Sequence, residues 1–189
     1  QAEVEEWIYQ NNTEETRMTD TMTISVKCKT ENQKSLVNSI KEKEVTICSG
    51  PAGTGKTFLA CAEALKLIKR HAKYKKIVIV KSVTTLKNEE IGFLKGNLRE
   101  KMEPFMFSFV HNFEKLVGQA ITSKLRELKT IEEMPIAYMR GINLDRSIII
   151  VDEAQNISQE NMRTILTRLG KDSKMIFLGD ERQQDSKGG

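Results

Sequence analysis

The stretch Val45-Thr46-Ile47-Cys48-Ser49-Gly50-Pro51-Ala52-Gly53-Thr54-Gly55-Lys56-Thr57 decides the fold. It opens as a short strand-like run, and its last eight residues match G-x-x-x-x-G-K-[ST] in full. Lys56–Arg70 then carries apolar residues around most of its girth, so the motif stands between a strand and a helix. Glycines let successive backbone N–H groups turn inward around phosphate oxygens, and the helix N-terminus adds its positive end there. Lys56 is expected to reach the β- and γ-phosphates of ATP, and the Thr57 hydroxyl to coordinate Mg²⁺. The expected nucleotide-binding set is Gly50, Pro51, Ala52, Gly53, Thr54, Gly55, Lys56, Thr57 and the adjoining Phe58.

Outward from this motif, strands and helices alternate. Ile77–Val80 reads as a strand, followed by a loop rich in Lys and Asn. Leu98–Val117 carries a helical stripe through Met102, Phe105, Phe109, Phe113 and Leu116, with Pro104 as a start or kink. Ser123–Leu128 reads as a helix and Ile136–Tyr138 as a short strand. Ile148–Val151 is uninterrupted and β-branched, the pattern of a strand buried on both faces. Met162, Ile165, Leu166 and Leu169 make a helix stripe closed by Gly170, and Lys174–Leu178 is the last strand. Upstream, Met22, Ile24, Val26 and Cys28 alternate with polar residues, which predicts a half-buried strand over Thr21–Lys29. Thr30 then opens a helix with Leu36, Val37 and Ile40 on one stripe. Strands separated by helices predict an α/β fold, a mostly parallel sheet with helices on both faces.

The 189 residues, 39% hydrophobic and 30% charged, suit one domain over 21–189 with a polar arm over 1–20. The arm holds six acids and one base, whereas the rest holds 20 acids and 29 bases. Such a basic body attracts polyanions, nucleotides and nucleic acid among them. Cys28, Cys48 and Cys61 show no CxxC spacing, and His71 and His111 are remote, which excludes a disulfide scaffold and argues against zinc. The longest apolar runs are strand-sized and no leader stands at the start, so a cytoplasmic protein without a membrane span is expected.

A second group of residues carries chemistry. Asp152-Glu153 follows four branched apolar residues, at the tip of the buried strand. Asp152 is expected to bind Mg²⁺ and Glu153 to polarise the attacking water, a division open to adjacent acids at a strand end. The last strand ends in Gly179-Asp180-Glu181-Arg182-Gln183, where Gln183 reads either as a sensor for the terminal phosphate or as part of a hydrophilic turn. Thr30 and Gln33 form a capping box, and that alone explains them. A glutamine amide here could alternatively meet the adenine edge.

The P-loop, Asp152-Glu153-Ala154-Gln155-Asn156, Leu166-Thr167-Arg168-Leu169-Gly170 and Gly179-Asp180 with Gln183, in this order, resemble the PhoH family of ATPases. Ile91–Gly96 and Met139-Arg140-Gly141 belong to the same resemblance, which runs from about Thr30 to Asp185. It implies a RecA-like sheet similar to the motor core of superfamily 1 helicases, a homo-oligomeric ring, and an activity connected to RNA or single-stranded DNA. It also implies that Gln33 reads adenine and Gln183 senses the γ-phosphate. This chain departs from the family at Lys81-Ser82, where Arg-Pro is usual, and at Lys95, where proline is common. It ends at Gly189, ahead of the closing strand and later arginine that the resemblance leads one to expect.

ATP hydrolysis is usually speeded by a guanidinium at the γ-phosphate. With one RecA-like domain, that group is expected from a neighbouring subunit, with Arg168 first and Arg182 and Arg140 behind it. Lys81, Lys87 and Lys95 are the expected nucleic-acid contacts. Two rival readings remain at this stage, a nucleotide-gated assembly module and a small-molecule kinase on the same loop.

Overall fold

The computed structural model describes residues 18–81 and 98–183. Five strands, β1 (Val45–Ser49), β2 (Lys76–Lys81), β3 (Ile131–Pro135), β4 (Ser147–Asp152) and β5 (Lys174–Gly179), form one sheet in the order β1-β5-β4-β2-β3. Every pairing is parallel. The helices are α1 (Glu31–Glu42), α2 (Lys56–Arg70), α3 (Leu98–Val117), α4 (Gln119–Glu127) and α5 (Gln159–Leu166). The Leu98–Val117 helix continues through Pro104. This is the predicted RecA-like α/β fold, with β5 inserted between the strand that delivers the P-loop and the strand that delivers Asp152.

The β-branched run of β4 explains the layering. Ile148 and Ile150 face one side, packed with Ile79, Phe109 and Phe113 beneath α1, α2, α3 and α4. Ile149 and Val151 face the other, with Val78, Val80, Phe177, Met139 and Ile165 of α5. All four β4 residues are fully buried, as a central parallel strand requires. The carboxyl ends of the strands, where crevices form in open α/β sheets, therefore gather Ser49, Lys81, Asp152 and Gly179 along one edge of the sheet.

Three elements differ from expectation. Thr21–Lys29 keeps its alternation, with Met22 buried and Ile24, Val26 and Cys28 packed on the core, yet no described strand pairs with it. Period-two burial requires an extended chain and not a hydrogen-bonded neighbour. The strand placed at Ile136–Tyr138 is instead Ile131–Pro135, and Ile136–Met139 is a 3₁₀ turn. Glu132 and Glu133 obscure that strand in the sequence, and they are accommodated at the sheet edge by Lys76 at 2.6 Å and Arg126 at 3.2 Å. The last helix stops at Leu166, four residues ahead of Gly170. The arm expected over 1–20 falls almost wholly outside the described residues.

Candidate functional site

The P-loop leaves β1 and enters α2 through two left-handed glycines, Gly53 (φ 76°) and Gly55 (φ 85°). A side chain with a Cβ is disfavoured at both. Gly55 is the N-cap of α2, so no side chain caps the helix, and no acid stands in its first turn. The free N–H groups and the positive end of the helix dipole are thus left for an anion. Lys56 Nζ folds back onto the carbonyl oxygens of Gly50 (2.5 Å) and Pro51 (2.8 Å), at the mouth of the loop.

Ala52–Phe58 lines a cavity of about 470 Å³ together with Lys81, Asp152, Glu153, Asp180 and Gln183. Sequence-distant strand tips therefore meet the P-loop, Gln183 among them, carried by a 3₁₀ turn over Glu181–Gln183. Burial pushes the Asp152 carboxyl above its ordinary range, and the neighbouring Glu153 adds to this, while Lys81 and Lys56 oppose it. Glu153 sits in the left-handed region at φ 53°, ψ 41°, a conformation a non-glycine residue adopts only when its surroundings impose it. Gln155 bonds to the Glu153 side chain. Its amide Nε2 donates to Glu153 Oε2 at 2.6 Å, and its Oε1 accepts the Asp180 N–H at 3.1 Å.

Thr57 and Asp152 offer a hydroxyl and a carboxylate to the same cavity, a hard-oxygen pair that suits Mg²⁺ when phosphate oxygens and water complete the shell. Among the described residues no group of three or more His, Cys, Asp or Glu could hold a metal by itself.

Gln33 stands on the other side of the loop. Its backbone N–H donates to Thr30 Oγ1 at 3.2 Å, so the N-cap forms as expected. The reciprocal half of the capping box is displaced by one residue, since Gln33 Oε1 accepts from Lys29 N (2.6 Å) rather than from Thr30. Its Nε2 donates to Thr54 O at 3.0 Å, tying α1 to the P-loop. Gln33, Leu36, Cys48 and Leu59 line a second cavity of about 450 Å³ that shares Gly53, Thr54 and Lys56 with the first. The two cavities meet across the loop.

The structure does not bring Arg168, Arg140 or Arg182 into the lining of either cavity. Arg168 and Arg140 lie together on a separate groove, and Arg182 follows Asp180, to whose Oδ1 it donates its N–H at 3.0 Å. Lys81, expected on a loop as a nucleic-acid contact, is the last residue of β2, beside Asp152 in the phosphate cavity. Lys87 and Lys95 lie outside the described residues. Of the phenylalanine stripe, Phe109 and Phe113 are fully buried core. Sequence reading missed Ser108 and Asn112, which reach the phosphate cavity from α3, and gave Gln155 no role. Ser108 and Asn112 carry no sequence signal, since they reach the cavity only through the packing of α3, whereas Gln155 stands in the Asp152–Asn156 motif.

The chain matches the family model described as PhoH-like protein over residues 25–189. It is 40% identical over 161 residues to a PhoH-like protein of Bacillus subtilis (strain 168), covering 85% of this chain and 50% of that protein. A PhoH-like protein of Synechocystis sp. is 39% identical over 160 residues, covering 85% and 48%. Protein PhoH2 of Bacillus subtilis is 35% identical over 140 residues, covering 72% and 31%. The chain thus spans about half the length of the first two. Among solved structures, the large terminase of the thermophilic bacteriophage D6E superposes with a TM-score of 0.46 at 10% identity, covering 81% of this chain and 39% of that one. With a family match over residues 25–189 and a relative 40% identical over 85% of its length, the chain belongs to the PhoH-like protein family.

Proposed function

We propose that this domain binds ATP with Mg²⁺ and hydrolyses it, coupling turnover to work on RNA or single-stranded DNA within a homo-oligomer. The observation that carries the hydrolytic reading is the meeting of Gly50–Thr57, Asp152, Glu153 and Gln183 at one sheet edge. On this reading the triphosphate lies along the P-loop, and Lys56 exchanges its two carbonyl partners for β- and γ-phosphate oxygens. Thr57 and Asp152 would hold a Mg²⁺, which would neutralise phosphate charge when bound. Glu153 accepts a proton from water as that water attacks the γ-phosphorus, and the bond to the bridging oxygen breaks to give ADP and phosphate. Gln183 is read as the contact to the γ-phosphate or the water, and Gln33 as the contact to the adenine edge once its present partners are released.

No arginine lines the phosphate cavity among the described residues. Arg168 is the proposed arginine and would act on the nucleotide of a neighbouring copy. The nucleic-acid part rests on the basic surplus of residues 21–189 and on the family. Among the described residues, no helix is long and apolar enough to cross a membrane.

The test is ATP hydrolysis by the purified chain, with and without single-stranded RNA, against Glu153→Gln. Loss of turnover by roughly 10²-fold or more in the variant, with ATP binding kept, is the expected result. Stimulation by RNA that disappears in Glu153→Gln supports coupling. Turnover indifferent to RNA removes the coupling and leaves an ATPase of the assembly kind.

A further inference from the structure

Successive residues of α3 meet three different surroundings. Met106, Phe109 and Phe113 are fully buried, in the core that also holds Ile79, Ile148 and Ile150 of the sheet. Phe107 and His111 are exposed to solvent. Ser108 and Asn112 enter the lining of the phosphate cavity. Each pair follows the helical repeat, which sets residues i and i+4 one above the other on a single face. The helix cannot roll Ser108 and Asn112 out of the cavity without drawing Phe109 and Phe113 from the core. Packing of α3 on α2 fixes it beside the P-loop as well. The two polar side chains are therefore placed there by the fold.

Their position along a nucleotide follows from the two cavities. Ser108 and Asn112 share theirs with Lys81, Asp152, Glu153 and Gln183 at the strand tips, and the cavity beside Gln33 includes neither of them. A nucleotide lying with its base beside Gln33 and its phosphates along the loop therefore brings its terminal phosphate to this pair. Both side chains are also unengaged. Among the described residues neither has a hydrogen-bond partner, whereas Gln33, Lys56 and Gln155 each have one in the protein. Asn112 is half-buried, and withdrawing an unengaged amide from water costs free energy that a ligand oxygen would recover. The charge of the cavity favours donors. Asp152, Glu153 and Asp180 stand there with only Lys56 and Lys81 as cations, so an arriving phosphate meets more acceptors than it can use. A serine hydroxyl and an asparagine amide supply donors without further charge.

We infer that the Ser108 hydroxyl and the Asn112 amide donate to γ-phosphate oxygens, which makes α3 the element that tells a bound triphosphate from a diphosphate. This role rests on the ATP-binding reading above and adds to it a pair of contacts from outside the P-loop and the strand tips. The P-loop N–H groups and Lys56 engage the β-phosphate, which ATP and ADP share, so they hold both nucleotides. Ser108 and Asn112 lose their ligand when the γ-phosphate leaves. Donors that meet a charged oxygen make the stronger kind of hydrogen bond, so two neutral side chains suffice for a measurable preference.

The test is equilibrium binding of the non-hydrolysable analogue AMP-PNP and of ADP, each with Mg²⁺, to the full chain. Ser108→Ala/Asn112→Ala is expected to weaken AMP-PNP by about tenfold or more and to leave ADP within about twofold of wild type. Asn112→Asp keeps the size of the side chain and sets a carboxylate against the γ-phosphate. It is expected to weaken AMP-PNP further than the double alanine variant, without a matching loss of ADP. Phe107→Ala, on the solvent face of the same helix, is expected to change neither affinity. Urea midpoints report whether each variant folds, and if the double variant does not, Ser108→Ala and Asn112→Asp carry the comparison singly. Equal losses of AMP-PNP and ADP overturn the role by making the pair structural, and no loss of either removes the pair from the nucleotide. A wild-type chain that binds neither nucleotide overturns the ATP-binding reading, and this role with it. Wild-type binding of both, with an unaltered ratio in the variants, overturns the role of Ser108 and Asn112 alone.

Discussion

Gln155 holds the Glu153 carboxylate at 2.6 Å with one end of its amide and receives the Asp180 N–H at 3.1 Å with the other. The proposed base just beyond β4 and the strand tip that leads to Gln183 are thereby joined by one side chain. Both hydrogen-bonding atoms of the amide are used, so neither alanine nor glutamate reproduces the bridge.

Gln155→Ala should therefore lower kcat by roughly tenfold to a hundredfold while leaving the affinity for ATP close to wild type, because orientation of a general base acts on the chemical step. Steady-state hydrolysis beside equilibrium binding of a fluorescent ATP analogue checks this. A rise in KM with unchanged kcat would contradict the bridge as a positioning device.

The three thiols should separate by burial. Cys61 is fully buried, and burial, reinforced by the Asp152 charge, pushes its thiol far above the ordinary value. Cys48 is half-buried at the base-side cavity, with burial raising its pKa against the pull of Lys56. A folded chain should present two thiols to an aromatic disulfide reagent rather than three, and ATP should slow one of the two. Mass spectrometry of the labelled peptides identifies it, and protection of Cys28 instead of Cys48 would move the base away from Gln33.

Lys174 buries its ammonium at the start of β5, donating to Lys41 O (3.1 Å) and Lys43 O (2.6 Å) at the end of α1. Lys174→Met should cost about 1–3 kcal/mol in urea unfolding, the range for hydrogen bonds made by a charged group. Burial, with Lys73 adding, holds the folded pKa below 10.5. The unfolded chain then binds more protons in the alkaline window beneath 10.5, so stability should rise with pH there, and Lys174→Met should remove that slope.

Gly170→Ala should destabilise the chain by about 1–3 kcal/mol, since the added methyl would stand 1.9 Å from Asp145 Oδ1 and, even with that side chain moved aside, 2.8 Å from the Leu144 backbone carbonyl. The urea midpoint measures it. The same substitution should reduce turnover in the assembled protein while sparing ATP binding, because it displaces Arg168 and not the P-loop.

By itself the sequence determined the alternation of strands and helices, the P-loop between β1 and α2, and Asp152-Glu153 at a strand tip. These are local facts, carried by period, branching and glycine placement over a few consecutive residues, and Lys56–Arg70 and Leu98–Val117 appear with the predicted bounds. Tertiary structure alone decided the rest. The strand Ile131–Pro135 exists because a neighbour pairs with it and Lys76 and Arg126 meet its acids, while Thr21–Lys29 has the pattern without a strand partner among the described residues. Lys81 became part of the phosphate cavity through its register with Asp152, and Gln155 acquired its bridge through β5. Arg168 lies on a groove apart from the P-loop cavity, beside Arg140, which is 28 positions earlier in the chain. Side-chain meetings of this kind depend on sheet order and register, which no window of neighbouring residues encodes.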